Sequence, residues 1–341
     1  MIARAQPKKA LRDGFGEGIL LAAKRNKNVV ALSADLTESN RLSAFKKKFP
    51  ERFIEVGVAE QNLIGLAAGM AHAGKIPFAA SFAAFSPGRS WDQIRVSVCY
   101  SKANVKIYGG HAGLTVGEDG ATHQALEDIA IMRVLPEMIV IAPADATEMK
   151  KAVLAAAKHK GPVYLRGGRE KTESVTREKD PFTIGKANVL RKGSDITIVA
   201  CGLMVKAALD AARILTKAGI EAEVINMHTI KPLDTKTLLS SAKKTGKVIT
   251  AEEHQITGGL GSAVSETLSE ALPVPLRRVG VEDAFGESGK ATELLEHYGL
   301  TAKNIAHVAE ELVNAHPPPP KQKTQHSRKK TRTKKRQTQN K

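Results

Sequence analysis

Short runs of β-branched and other apolar residues recur along the chain, and polar positions between them fall at helical spacing. Residues 29–33, 76–82, 105–108, 138–141 and 163–166 read as buried strands. Helical patterns lie between them at about 63–73, 91–100 and 147–158. Strands that alternate with helices in this way predict a parallel α/β sheet. Residues 168–192 are charged and poorly periodic, as a linker would be. The alternation then restarts with a strand at 196–200, a helix at 204–217 and strands at 222–226 and 247–250. A glycine-rich turn and helix follow at 258–271, then a strand at 276–279 and a helix at 303–313. The pattern predicts two parallel-sheet α/β domains at 1–170 and 191–315, joined by a linker at 171–190. No short-period repeat is present.

A length of 341 residues suits two domains, and a hydrophobic content of 42% excludes wholesale disorder. No apolar run approaches the roughly 20 residues that cross a bilayer, so no membrane contact is expected. The apolar stretch 19–23 is short and bracketed by Gly18 and Lys24, which does not read as a secretion signal. Two cysteines, Cys99 and Cys201, offer neither a zinc site nor a disulfide framework and fit a reducing cytosol. The charge is unevenly spread. Of the net +17, residues 316–341 supply ten Lys/Arg and no acid, which leaves the body at +7. That segment opens with four prolines and has no aliphatic or aromatic residue beyond them, so it is expected to be a disordered basic tail. It is either a polyanion-binding arm or an extension without bearing on the main activity.

Nucleotide motifs are weak. Gly258–Gly261 opens a helix but lacks the GxGxxG spacing, and no GxxxxGK[ST] occurs, so a tight strand-to-helix turn is the favoured reading. Chemistry concentrates elsewhere, in three segments. FIEVGVAEQN (53–62) places Glu60 at the mouth of a helix so poor in polar residues that it must be largely buried. A carboxylate there serves the helix dipole or a buried partner. SFAAFSPG (81–88) sets Phe82 and Phe85 at the C-terminal end of a strand, where ligands of open α/β sheets sit. GGHAGLTVGEDGATHQ (109–124) is a glycine-rich loop that carries His111, Asp119 and His123, residue types suited to proton transfer. Glu252, Glu253 and His254 form a further ionisable cluster, read as structural.

Together with SADLTESN (33–40) and YLR (164–166), these segments closely resemble the C-terminal half of transketolase. That half comprises a pyrimidine-binding domain and a C-terminal domain, and TAEEHQITGGLGSAVSE (250–266) and RVGVEDAFGESG (278–289) extend the resemblance through residue 315. The resemblance implies a thiamine diphosphate enzyme that passes a two-carbon ketol unit from a ketose phosphate to an aldose phosphate. Glu60 matches the family's glutamate against the aminopyrimidine ring, and Phe82 and Phe85 match its aromatic wall. Gly88 stands where a third aromatic is usual. Asp35 matches a position beside the thiazolium. His111, Asp119 and His123 match sugar contacts, and Arg166 and Ser39 match phosphate ligands. Glu60, His111 and His123 are thus the implied catalytic set, with no metal ligand of this chain's own. No GDG…N motif for the cofactor's diphosphate and Mg²⁺ is found. The resemblance therefore implies a split enzyme whose N-terminal half is a separate subunit, assembled as a dimer of heterodimers. Two other readings compete: a deoxyxylulose-phosphate synthase or 2-oxo acid dehydrogenase β subunit, and a non-catalytic polyanion-binding protein led by the tail.

Overall fold

The computed structural model describes residues 8–316. The basic tail and the part assigned to it in polyanion binding lie outside the described residues. Two parallel-rich sheets carry the chain. The first has seven strands in the order Thr229–Lys231, Ile139–Ile141, Val163–Arg166, Lys106–Gly110, Ile76–Phe82, Val29–Ser33 and Phe53–Glu55. All its pairings are parallel except that of Thr229–Lys231, which adds to Ile139–Ile141 antiparallel. The second has five strands, in the order Leu276–Val281, Val248–Gln255, Ile196–Ala200, Ala222–Asn226 and Asn188–Arg191. Only the last of these is antiparallel.

Parallel strands covered by helices on both faces are apolar over most of their length. Val29–Ser33, Lys106–Gly110 and Ile196–Ala200 are buried at every residue. One face of the first sheet packs Leu32 and Ile107 against Leu63 and Ile64; the other packs Phe78 and Tyr108 against Phe15 and Ile19.

The second of these layers contains a helix the hydrophobic pattern does not announce. Leu11–Arg25 lies along Ala146–Lys158 so closely that a Cβ on Gly14 would come within 2.1 Å of the Ala146 carbonyl oxygen. One on Gly18 would meet Val153 Cβ at 2.8 Å. Glycines that lower helix propensity are here required by tertiary contact, which wins. The helical pattern at 91–100 also resolves differently: an α turn, Trp91–Gln93, leads into a π-helix, Ile94–Tyr100.

The expected linker is tied down along its length. Lys171–Thr172 pairs with Lys9–Ala10, and the buried Asp145 carboxylate accepts the Val175 and Thr176 amides, both at 2.7 Å. Thr229–Lys231 lies beyond the second unit's first three strands in sequence yet completes the first unit's sheet. Among the described residues, no helix is long and apolar enough to cross a membrane.

Candidate active site

Because the inner strands of the first sheet are parallel, the loops after Ser33, Glu55, Phe82, Gly110 and Arg166 emerge on one side. This is where open α/β sheets form their crevice. Glu60 opens the helix Glu60–His72 just past the turn at Gly57 and is only 4% exposed. Its carboxylate accepts one side-chain hydrogen bond among the described residues, from Arg89 Nη1 at 3.3 Å. The Arg89 guanidinium also lies over the Phe85 ring, 4.4 Å from its centroid, and so links the carboxylate to the aromatic wall.

That wall is built by two segments. Phe82 ends its strand, and its ring lies 5.9 Å from that of Phe85 with 26° between planes. His111 stacks on Phe82 at 3.8 Å, and His123 meets Phe85 edge-on at 5.1 Å. Glu60, Phe82, Phe85, His111 and His123 are therefore gathered round one site.

His111 adopts a left-handed backbone (φ 55°), an uncommon conformation for a side chain with a Cβ. Asp35, in the loop after Ser33, does the same (φ 57°), held by its amide's bond to Glu55 Oε1 at 2.6 Å. Burial, reinforced by Arg12, Arg169, Arg41 and His123, pushes the His111 pKa down to about 3, so the imidazole is neutral at physiological pH. Arg12 Nη1 lies 3.4 Å from Nε2. A guanidinium can only donate, so Nε2 accepts and the ring proton sits on Nδ1. That Nδ1 is buried and has no partner among the described residues.

Beside His111 stands a cluster of positive charge. Arg12 Nη1 donates to the Ser39 carbonyl at 3.4 Å, and Arg41 Nε pairs with Asp13 at 2.8 Å. Arg169 Nη1 donates to the Val116 carbonyl at 2.5 Å and lies 3.5 Å from Asp119 Oδ2. Burial and the neighbouring Arg41 and Arg169 lower the Arg12 pKa. Ser39 and Asp119 thus sit at the edge of an electropositive corner. Arg12, Arg89 and Arg169 were not singled out from sequence, although the glycine pair between Arg166 and Arg169 signals a chain that turns back toward the loop.

Arg166 is placed differently from the expectation. It is 6% exposed, and its Nε donates to Asp128 at 2.8 Å while its Nη2 donates to the Glu253 and Ala125 carbonyls at 2.9 and 3.3 Å. Tyr164 adds a third group to Asp128, at 2.7 Å. Through its Nε and Nη2 this guanidinium acts as a structural tie. The Glu252–His254 cluster is buried as well, but at the contact between the two units and directly beneath the 111–124 loop. Glu252 accepts the Leu260 and Gly261 amides, both at 2.7 Å, so the glycine turn there is capped by the protein's own carboxylate.

The fold is that of a thiamine-dependent α/β transferase. Residues 7–174 match the family model described as transketolase, pyrimidine binding domain, and residues 185–305 match transketolase, C-terminal domain. The chain belongs to the transketolase family. It is 50% identical to a putative transketolase C-terminal section of Methanocaldococcus jannaschii, over 87% of this chain and 94% of that one. It is 48% identical to a 6-deoxy-6-sulfo-D-fructose transketolase subunit of Clostridium sp., over 89% and 94%. Among solved structures, one described as "Split gene transketolase, inactive beta4 tetramer" superposes with a TM-score of 0.83 at 46% identity, covering 90% of this chain and 99% of that one. Transketolase from Leishmania mexicana superposes at 0.78 and 26% identity, and the chain spans 48% of it. The resemblance read from the motifs, to the C-terminal half of transketolase, is thus confirmed.

Proposed function

We propose that this chain is the C-terminal subunit of a split transketolase that moves a two-carbon ketol unit from a ketose phosphate to an aldose phosphate. The observation that carries the reading is the buried, under-used Glu60 carboxylate facing a wall of Phe82, Phe85, His111 and His123. The side chains fit thiamine diphosphate: a carboxylate with hydrogen-bonding capacity left for a ring nitrogen, and aromatic faces for a flat ring. When bound, the cofactor supplies the carbon nucleophile that carries the two-carbon unit. Glu60 holds a proton at the ring nitrogen, and Phe82 and Phe85 fix the ring's plane and keep water from it. Asp35 stands toward the thiazolium side. Neutral His111 stands at the sugar end of the site, while His123 and Asp119 hydrogen-bond the sugar hydroxyls. Arg12 and Arg169, beside Ser39, are placed to hold the anionic end of the sugar. Mg²⁺ and the cofactor's diphosphate fall to a separate N-terminal subunit, and the assembly is a dimer of heterodimers.

The split reading is supported by relatives of the same span, two of which are described as a C-terminal section and a subunit. The related subunits act on a sulfo sugar and, in another case, on apulose 4-phosphate, both of them sugars with an anionic end. The test is ketol transfer by the purified chain, alone and with an N-terminal transketolase half, Mg²⁺ and thiamine diphosphate. Xylulose 5-phosphate is offered as donor and, separately, pyruvate. Transfer from the ketose phosphate is expected only in the reconstituted mixture. Full activity of the single chain overturns the split, and a product from pyruvate overturns the transketolase assignment.

A further inference from the structure

The loop that carries His111, Asp119 and His123 is held only in part by its own bonds, among them those of Gly117 to Leu114 and His123 to Gly120. It is long and glycine-rich, and its two ends are closed by the single bridge between Ala112 and Ala125. What lies under it comes from the other unit. Glu253, 3% exposed near the end of the strand Val248–Gln255, accepts the Thr115 amide at 2.6 Å across 138 residues of sequence. Gly113, at φ 88°, passes so near that a Cβ there would lie 2.4 Å from the Glu253 carboxyl carbon. The Glu253 carbonyl in turn accepts from Arg166, whose charge favours the ionised carboxylate against its burial. The loop's far end is gripped from the same side. Gln124 Nε2 donates to the Leu114 and Gly117 carbonyls within the loop and to the Glu287 carbonyl of the second unit at 3.0 Å. Gln255 ties the segment 283–289 to its own strand through bonds to Ala284 and Asp283.

From this contact we infer that Glu253 is a positioning residue for ketol transfer: a buried carboxylate of the C-terminal domain that sets the 111–124 loop through the Thr115 amide and the gap at Gly113. The inference rests on the proposed activity for its kinetic consequence, but not for the contact itself. Arg166 and Asp128 complete the device by fixing the backbone on which that carboxylate stands. A domain that gives the site no chemical group thereby decides where the sugar-facing imidazoles lie.

The test has two arms. In the first, hydrogen–deuterium exchange is read on the full chain alone, without partner or substrate. Glu253→Ala is expected to raise exchange over 111–124 at least tenfold while the strands Ile76–Phe82 and Lys106–Gly110 stay protected. Glu253→Gln, which keeps an acceptor for Thr115, is expected to recover most of that protection. In the second arm the reconstituted enzyme is assayed. A displacement of about 1 Å costs about 100-fold in rate, so Glu253→Ala is expected to lower kcat/KM for the ketose phosphate by about that factor. Half-saturating thiamine diphosphate is expected to shift far less, because Glu60, Phe82 and Phe85 lie outside the loop and meet it only where His111 and His123 pack on the two rings. Unchanged exchange over 111–124, no recovery in Glu253→Gln, or sugar and cofactor affinities lost together each overturn the inference. Where Glu253→Ala fails to fold, Gly113→Ala presses on the same contact from the loop side, with the same supporting and overturning results. A wild-type reconstitution that transfers no ketol unit overturns the functional reading instead, and the exchange arm then decides the inference by itself.

Discussion

Removing Asp128 would isolate a charge in the core. In Asp128→Ala, Arg166 keeps a guanidinium with 7% side-chain exposure, while its partner, 1% exposed and 2.8 Å away, is gone. Water cannot screen a pair so enclosed, and breaking a buried pair by deleting one member costs about 3–5 kcal/mol. Tyr164 also loses the acceptor of its hydroxyl, though this cost overlaps with the first. At about 2–4 °C per kcal/mol for a folding unit of 150–250 residues, the melting point should fall by about 6–20 °C. Arg166→Met paired with Asp128→Leu removes both charges and should recover most of that loss, since apolar replacement of a whole buried pair is often neutral. Thermal and urea unfolding of the three proteins measures the effect, and ketol-transfer KM values show whether sugar binding follows. The reasoning fails if Asp128→Ala melts within about 2 °C of the wild type, a shift worth only about 1 kcal/mol. It fails equally if Arg166→Met melts normally but weakens binding of phosphorylated sugars tenfold.

Three further outcomes are expected. Arg169→Ala should raise the KM for phosphorylated sugars about tenfold or more, because a hydrogen bond to a charged group is worth about 1.5–3 kcal/mol, while an unphosphorylated donor is unaffected. Steady-state kinetics with the paired substrates reads this directly. Glu60→Gln should abolish turnover in the reconstituted enzyme with little change in melting, since its one ion pair among the described residues is with the half-exposed Arg89; retained turnover removes Glu60 from its role. His111 binds its proton only near pH 3 when folded but near the ordinary histidine value of about 6.5 when unfolded. The unfolded chain therefore takes up the extra proton between these values, so stability is complete above about pH 6.5 and falls as the pH drops toward 3. His111→Asn should flatten that part of the profile, as followed by urea midpoints across the range.

Much of the fold is legible in the chain because parallel strands covered on both faces read as nearly continuous apolar runs. Val29–Ser33, Ile76–Phe82, Val163–Arg166, Ile196–Ala200 and Ala222–Asn226 begin and end where the pattern places them. The helix Leu11–Arg25 is invisible for the converse reason: its glycines answer to the backbone of Ala146–Lys158, not to the helix itself. Thr235–Thr245 left a signal that periodicity alone passes over, an Asp234 side chain that accepts the Thr237 amide and a left-handed Gly246 at the far end. At the site, residues that recognise through their own side chains stand out by type and spacing, as Glu60, Phe82, Phe85 and the two histidines do. Arg166 and Arg169 are three residues apart and chemically identical. Only the presence of Asp128 beneath one and the 111–124 loop beside the other distinguishes their surroundings. Glu253 stands out only as one of an ionisable cluster, and its hold on the loop is beyond such reading, since its partner lies 138 positions away.

The antiparallel strand Thr229–Lys231 stitches one half of the molecule to the other. Severing the polypeptide after residue 190 would leave Ile139–Ile141 with a raw hydrogen-bonding rim, the kind of border that recruits foreign strands and clumps. The two family modules are thus separable as segments of sequence but inseparable as objects. Any recombination of this subunit with a sister enzyme must carry the borrowed ribbon along with the sheet it finishes.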